Sequence, residues 1–210
     1  MRKLIVSMNV TLDGFLSGPN CELDWHFTCW TAEMAEALGQ QLERADTILL
    51  GRVTYLAMAK YWPAKAMDVA APREDLAFIQ MMNRYRKIVF SKTLTLAEWH
   101  NSTVANKNLA EEIRQLKQQS GKDLMLYGSA KLVAALVKLN LVDEYQLWVH
   151  PVVLGKGKSL FKTLPQRLSL ALLQTKVFCS GVTLLVYQVE NVNQPKKVKG
   201  KKYHEKETAN

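Results

Sequence analysis

The chain has 210 residues, 48% of them apolar and 22% charged, with 28 lysines and arginines against 19 carboxylates for a net charge of +9. Such a length and composition can close a core without metals or disulfides, which excludes a fibre, a coiled coil or disorder over its bulk. The charge surplus brings nucleic acid and membrane surfaces into question as partners, so its placement matters.

Leu4, Val6, Met8 and Val10 alternate with Ile5, Ser7 and Asn9, a period of two that predicts a strand with one apolar face. TLDGFLSGPNCELDW follows as a loop rich in turn residues. Residues 29–44 predict an amphipathic helix with Met34, Leu38 and Leu42 four apart. TILLG (47–51) is a short buried strand running into RVTYLAMAKYW, a helical pattern expected to end near Pro63. PREDLAFIQMMN (72–83) places proline at a first helical position, and KIVFS (87–91) is a further strand. NLAEEIRQLKQQ (108–119) sets Leu109, Ile113 and Leu116 on one helical face before Gly121. DLMLYG (123–128) predicts a strand and SAKLVAALVKLN (129–140) a helix. DEYQLWVHPVV (143–153) is a long strand, and LSLALLQTKVF (168–178) and GVTLLVYQVE (181–190) flank a Cys-Ser-Gly turn as an antiparallel hairpin. Strand alternates with helix and the chain then ends in strands alone. The expected fold is therefore α/β, a mostly parallel central sheet covered on both faces with an antiparallel C-terminal hairpin.

No linker interrupts the chain before residue 190, so residues 1–190 read as one domain. Residues 191–210 lose apolar side chains and gain lysine, and read as a disordered tail. Gln194–Asn210 holds six lysines and two glutamates, +4 of the surplus. The remainder is mildly basic and carries no RNP, KH or helix-turn-helix signature, which argues against nucleic acid as the partner. Cys21, Cys29 and Cys179 form no CxxC pair, and MRKLIVSMNV lacks the features of a secretory leader, so a reducing, cytoplasmic setting is expected. No apolar run approaches the ~20 residues of a membrane span. The four histidines show no metal-ligand spacing.

Three predicted strand-to-helix junctions concentrate glycine, hydroxyl and cationic residues. They are Leu50-Gly51-Arg52-Val53-Thr54, Phe90-Ser91-Lys92-Thr93 and Tyr127-Gly128-Ser129-Ala130-Lys131. Ligands of open parallel sheets sit outside the carboxyl ends of the strands. A glycine there admits close approach to the backbone, a helix N-terminus offers unpaired N–H groups, and Arg52 and Lys92 suit phosphate. Any single junction also reads as an ordinary helix start. The three together point to a phosphate-rich ligand. No GxGxxG follows a strand, and GKGKS (155–159) is not a Walker A motif because Val152 stands where its first glycine belongs.

Four segments in order, SMNVTLDGFLSGPNCELDW, ILLGRVTY, IVFSKTL and LMLYGSAKLVAALVKLNLVDEYQLWVHPVVLGKGKSLF, resemble the dihydrofolate reductase-like superfamily over residues 2–190. Within it they look most like stand-alone relatives of the reductase domain of riboflavin biosynthesis. The resemblance implies a three-layer α/β fold, a homodimer, and NADPH as hydride donor to a C=N or C=O group of a pterin- or aminopyrimidine-like heterocycle. Carried over by position, Gly51, Arg52 and Thr54 would hold the adenosine-side phosphates, Ser91 and Lys92 the 2′-phosphate, and Gly128 and Ser129 the pyrophosphate. The loop that borders nicotinamide and substrate in the family carries Asp13, Phe15 and Trp25 here. Asp13 would bind or protonate a substrate nitrogen, or serve only an Asp-Gly turn. Phe15 would border the substrate, and Trp25 would stack on it or anchor packing. Glu33 and Glu36 read as a solvated helix face, and His150 as a hydrogen-bonded core residue. This chain has ELDWHFTCW and GRVTYLAMAKYWP where the riboflavin-pathway reductase typically has Ser-x-Trp-Ile-Thr and GxxT-x-x-x-D-x-P, and no HxE…PCxxC deaminase signature. The substrate is thus less defined than fold and cofactor, and an NADPH-binding relict or interaction module without turnover is the alternative.

Overall fold

A computed structural model describes residues 1–161, 164 and 167–190; the tail expected over 191–210 lies outside the described residues. In chain order the elements are β1 (Leu4–Thr11), β2 (Phe15–Ser17), α1 (Asp24–Phe27), α2 (Ala32–Glu43), β3 (Ala45–Gly51), α3 (Arg52–Ala66), α4 (Arg73–Arg84) and β4 (Arg86–Phe90). There follow β5 (Ser102–Val104), α5 (Leu109–Gln118), β6 (Asp123–Leu126), α6 (Ala130–Lys138), β7 (Glu144–His150), β8 (Lys158–Ser159), β9 (Leu170–Val177) and β10 (Thr183–Val189).

Eight strands form one sheet in the order β5-β4-β3-β6-β1-β7-β10-β9. All pairings are parallel except those of β10, which runs antiparallel to β7 and to β9. This is the α/β arrangement expected from the sequence. The β2 and β8 strands form a separate antiparallel ribbon.

β1 lies inside the sheet, and its side chains divide between two cores. Leu4, Val6, Met8 and Val10 pack with Ile113 and Leu116 of α5 and with Val133 and Leu136 of α6. Ile5 joins Met34, Leu38 and Leu42 of α2 and Phe78 and Met82 of α4. The single apolar face expected for this strand is therefore corrected to two covered faces, as befits a parallel sheet with helices on either side. Its polar positions are tolerated because each is paired. The Ser7 hydroxyl donates to Gln41 Oε1 (2.9 Å), and Asn9 Oδ1 meets His150 Nε2 (3.0 Å).

Other differences have local causes. Pro63 sits inside α3 rather than ending it. Only three helical residues follow it, Trp62 is packed edge-on against Phe78 of α4, and the Trp62 carbonyl accepts from Asn83 Nδ2 (3.0 Å). Pro72 is the N-cap of α4, one position before the helix proper. The strand expected to reach residue 153 stops at His150, since Pro151 has no N–H for the ladder. The loop after β1 contains β2 and α1, and β5 adds a short edge strand alongside β4. Among the described residues no helix is long and apolar enough to cross a membrane, and no group of three or more metal-ligating side chains is gathered.

Candidate functional site

β4, β3 and β6 are neighbours, so the three residue clusters singled out in the sequence lie side by side at the carboxyl ends of adjacent parallel strands. Two of them interlock. Gly51 ends β3 as the N-cap of α3, and its N–H donates to the Gly128 carbonyl (2.9 Å). A Cβ on Gly51 would stand 2.8 Å from Ser129 Oγ, and one on Gly128 would stand 2.7 Å from Thr54 Oγ1. Gly128 also holds φ at +139°, a conformation that L side chains avoid. Close approach of the two turns thus requires both glycines, and it brings Gly51, Thr54, Gly128 and Ser129 together.

The helices that start here, like α1 and α4, lack the side-chain caps that α2 and α5 carry. Thr31 caps α2 by accepting from the Met34 N–H (3.3 Å), and Asn108 caps α5 by accepting from the Glu111 N–H (2.9 Å). Neither α3 nor α6 has a side-chain cap, although Ser129 occupies the N-cap of α6. Two helix N-termini with unpaired N–H groups and partial positive charge therefore face the same strand ends. Arg52 and Lys92 are exposed there, and the ion pairs among the described residues use other cations. A turn rather than a helix follows Ser91. Its Oγ accepts from the Thr93 N–H (3.1 Å) and the Leu94 N–H (2.8 Å), which shapes the loop carrying Lys92 and leaves the hydroxyl hydrogen free to donate.

Asp13 lies on the other side of the strand ends, after β1. Its carboxylate accepts from the Thr11 hydroxyl (2.5 Å) and the N–H groups of Gly155 (2.7 Å) and Leu154 (3.3 Å). The Thr11 hydrogen bond, helped by those backbone donors, holds the carboxyl below its ordinary value. Asp13 is thus an anion that ties the loop after β1 to the segment after β7. The β2–β8 ribbon continues that tie, and Phe15 lies against Gly157, where a Cβ would be 3.2 Å from the ring.

Trp25 is buried on α1, with its indole edge-on to the His150 ring at 5.0 Å. His150 closes β7, fully buried, and burial with His26 nearby pushes it down to about 4. His26 donates from Nδ1 to the Leu23 carbonyl (2.7 Å), and burial lowers its pKa as well. The structure therefore places His150 in the core, as read from the sequence, yet at a strand end beside Thr11, its register partner on β1. His26 and Asn9 were not singled out in the sequence. The one available signal was Asn9 as a polar residue in a strand that proved to be covered on both faces. Glu33 pairs with Lys176 (3.1 Å) and Glu36 accepts from Gln40 (3.1 Å), which agrees with a solvated face.

Residues 2–184 match the family model described as RibD C-terminal domain. The uncharacterized protein YyaP of Bacillus subtilis (strain 168) is 38% identical over 186 residues, covering 89% of this chain and 94% of the relative. A putative riboflavin biosynthesis protein from Shewanella sp. PV-4 is similar in structure with a TM-score of 0.69 at 22% identity, over 90% of this chain and 99% of that one. Dihydrofolate reductase from Enterococcus faecalis, solved in complex with NADP(H), gives 0.57 at 14% identity, over 90% and 97% of the two chains. The fold is dihydrofolate reductase-like.

Proposed function

The chain belongs to the RibD C-terminal domain family, and from that premise we propose that it is an NADPH-dependent reductase acting on a small heterocycle. The acceptor is a C=N or C=O group of a pterin- or aminopyrimidine-like ring, as for 5-amino-6-(5-phosphoribosylamino)uracil reductase. One observation carries the reading: two helix N-termini without side-chain caps interlock at neighbouring strand ends through Gly51 and Gly128. That is a binding place for linked phosphates.

The residues divide the work by position. Gly51, Thr54, Gly128 and Ser129 would cradle the phosphates, Arg52 would neutralise them, and Ser91 and Lys92 would hold the 2′-phosphate. When bound, the reduced nicotinamide supplies the hydride. Asp13, an ionised brace, positions the loop that borders the ring, and Phe15 and Trp25 border the substrate. With Asp13 ionised and Glu33 and Glu36 turned to solvent, the proton comes from water. The same reading has the protein act in the cytoplasm as a homodimer.

Equilibrium titration with NADPH and NADH tests it, followed by NADPH oxidation with a panel of pterins and aminopyrimidines. NADPH is expected to bind at least about tenfold (about 1.4 kcal/mol) tighter than NADH, and Lys92→Ala to erase most of that preference. Equal affinities with an indifferent Lys92→Ala overturn the 2′-phosphate assignment. Saturable NADPH binding with no turnover across the panel makes the protein a cofactor-binding relict instead.

A further inference from the structure

The antiparallel end of the sheet is covered on one face only. Leu184 and Val186 of β10 join the core that holds Met34 and Leu38 of α2, and Lys176 of β9 pairs with Glu33 of that helix. The alternate side chains of β10 point to the other face, where α5 and α6 lie over β6 and β1.

Register shows what this second face presents. Thr183 lies between Val149 of β7 and Val177 of β9, and Leu185 lies between Leu147 and Thr175. In the next row Leu172 opposes Tyr187. Directly opposed residues share a face, so these rows are apolar or hydroxyl-bearing throughout and carry no charge. Val177 is 67% exposed and Leu172 56%, and neither they nor Leu185 belong to a core cluster among the described residues. An antiparallel sheet that meets water on one side turns polar residues to it, whereas this one turns valine and leucine.

Charge and symmetry single out the occupant. The chain carries +9, and none of that charge lies on these rows. Nucleic acid, an acidic protein or an anionic membrane would need cations here. A second copy brings the same neutral rows and keeps its own positive charge outside the contact. β10 is the middle strand of the three, so a twofold axis passing near Leu185 lays the whole face on itself. Two sheets packed in this way stand ~10 Å apart and interdigitate their side chains. At about 4.8 Å between strands and about 3.4 Å per residue, the face measures about 14 by 20 Å. That is an apolar core such as interfaces of about 800 Å² per partner surround with a polar rim.

We propose that two copies of this chain pack face to face through β7, β10 and β9, with Leu185 at the centre of the contact. The inference goes beyond the reductase reading, since it is drawn from the sheet and holds equally for a chain without turnover.

Sedimentation velocity of the full chain from about 1 to about 100 µM tests it, with wild type expected to run as a dimer. Val177→Asp and Leu172→Asp each put a charge into the contact at a position exposed in the single protomer, so the fold is kept. Each is expected to weaken association at least about a hundredfold. Leu96→Asp, at a residue 66% exposed after β4 towards the opposite edge of the sheet, should stay dimeric. The wild-type melting temperature should rise with protein concentration, and those of the two β9 variants should not. Wild type that sediments as one chain at the highest concentration would overturn the assignment. So would a dimer that both β9 variants keep, or one that Leu96→Asp dissociates as readily. Failure of the wild type to bind NADPH would instead count against the reductase reading, and sedimentation would still decide the face.

Discussion

Gly128 shows how one residue can couple fold and site. Its φ of +139° and the 2.7 Å that would separate a Cβ from Thr54 Oγ1 are two independent objections to any side chain. Gly128→Ala is expected to cost about 1–3 kcal/mol in urea denaturation and to weaken NADPH binding. Adding Thr54→Ala should restore the steric share of the stability and leave the backbone share lost. Full recovery in the double variant would show that the φ angle carries no cost. Asp13 offers a second test, through pH. The Thr11 hydroxyl and two backbone N–H groups favour its ionised form, so the folded pKa lies below the ordinary 3.8. That stabilisation is complete above the unfolded pKa and is lost as pH falls through the lower folded value. Asp13→Asn should therefore melt below wild type at neutral pH, with the gap closing in acid. A gap independent of pH would mean that the charge of the carboxylate is not what holds the loop.

Helix ends carry the next scale of the argument. Asn108 and Ser129 look alike in sequence, polar residues ahead of apolar helices, yet only Asn108 caps its helix. Asn108→Ala is expected to cost about 1 kcal/mol and to leave NADPH affinity unchanged. Ser129→Ala should cost much less stability and weaken NADPH binding, and the reverse pattern would remove α6 from the phosphate site. At the other end of a helix, buried Lys87 donates to the carbonyls of Met82, Asn83 and Tyr85 (3.0, 2.8 and 2.7 Å) and lies over the Trp99 ring. Lys87→Met leaves those carbonyls without that donor and is expected to destabilise by about 2–3 kcal/mol. Burial pushes Lys87 from 10.5 down to about 8. Between those values the unfolded chain binds more protons than the folded one, so the stability gap between wild type and Lys87→Met should widen as pH rises through the window. Most elements were legible because apolar periodicity dictates them, as with Leu109, Ile113 and Leu116 on α5 or Leu132 and Val133 on α6. β5 was not, since Ser102-Thr103-Val104 is too short for a period, nor was α3 beyond Pro63, whose last turn depends on Trp62 packing against α4. The three residue clusters could be found one by one. That Gly51 and Ser129 touch, and that Trp25 lies on His150, follow from strand order and could not be read from spacing.

For the whole molecule, the informative quantity is where the positive charge sits rather than how much there is. Of the +9, Gln194–Asn210 contributes +4 by composition. Among the cations of the body, Arg52, Lys92 and Lys131 belong to the three strand-end clusters. They stand exposed at the strand ends where α3 and α6 add the partial charges of their N-termini, while Arg2, Arg44 and Lys117 are spent on carboxylates elsewhere. If the local field holds the cofactor, the tail is dispensable for it. A chain ending at residue 190 should then keep the full preference for NADPH over NADH, and Arg52→Ala/Lys92→Ala in the full chain should lose most of it. Salt supplies an independent reading of the same point. Raising ionic strength from about 0.1 M to about 1 M shortens the Debye length from about 10 Å to about 3 Å. Exposed Arg52 and Lys92 are screened by this, so NADPH affinity should fall more than NADH affinity, and equally with and without the tail. NADH affinity should fall by the smaller amount, because Arg52 serves the phosphates common to both cofactors and Lys92 only the 2′-phosphate. The backbone N–H groups act at hydrogen-bond distance and are screened little. A shortened chain that no longer distinguishes the two cofactors would move the anion site from the strand ends to the lysines beyond residue 190.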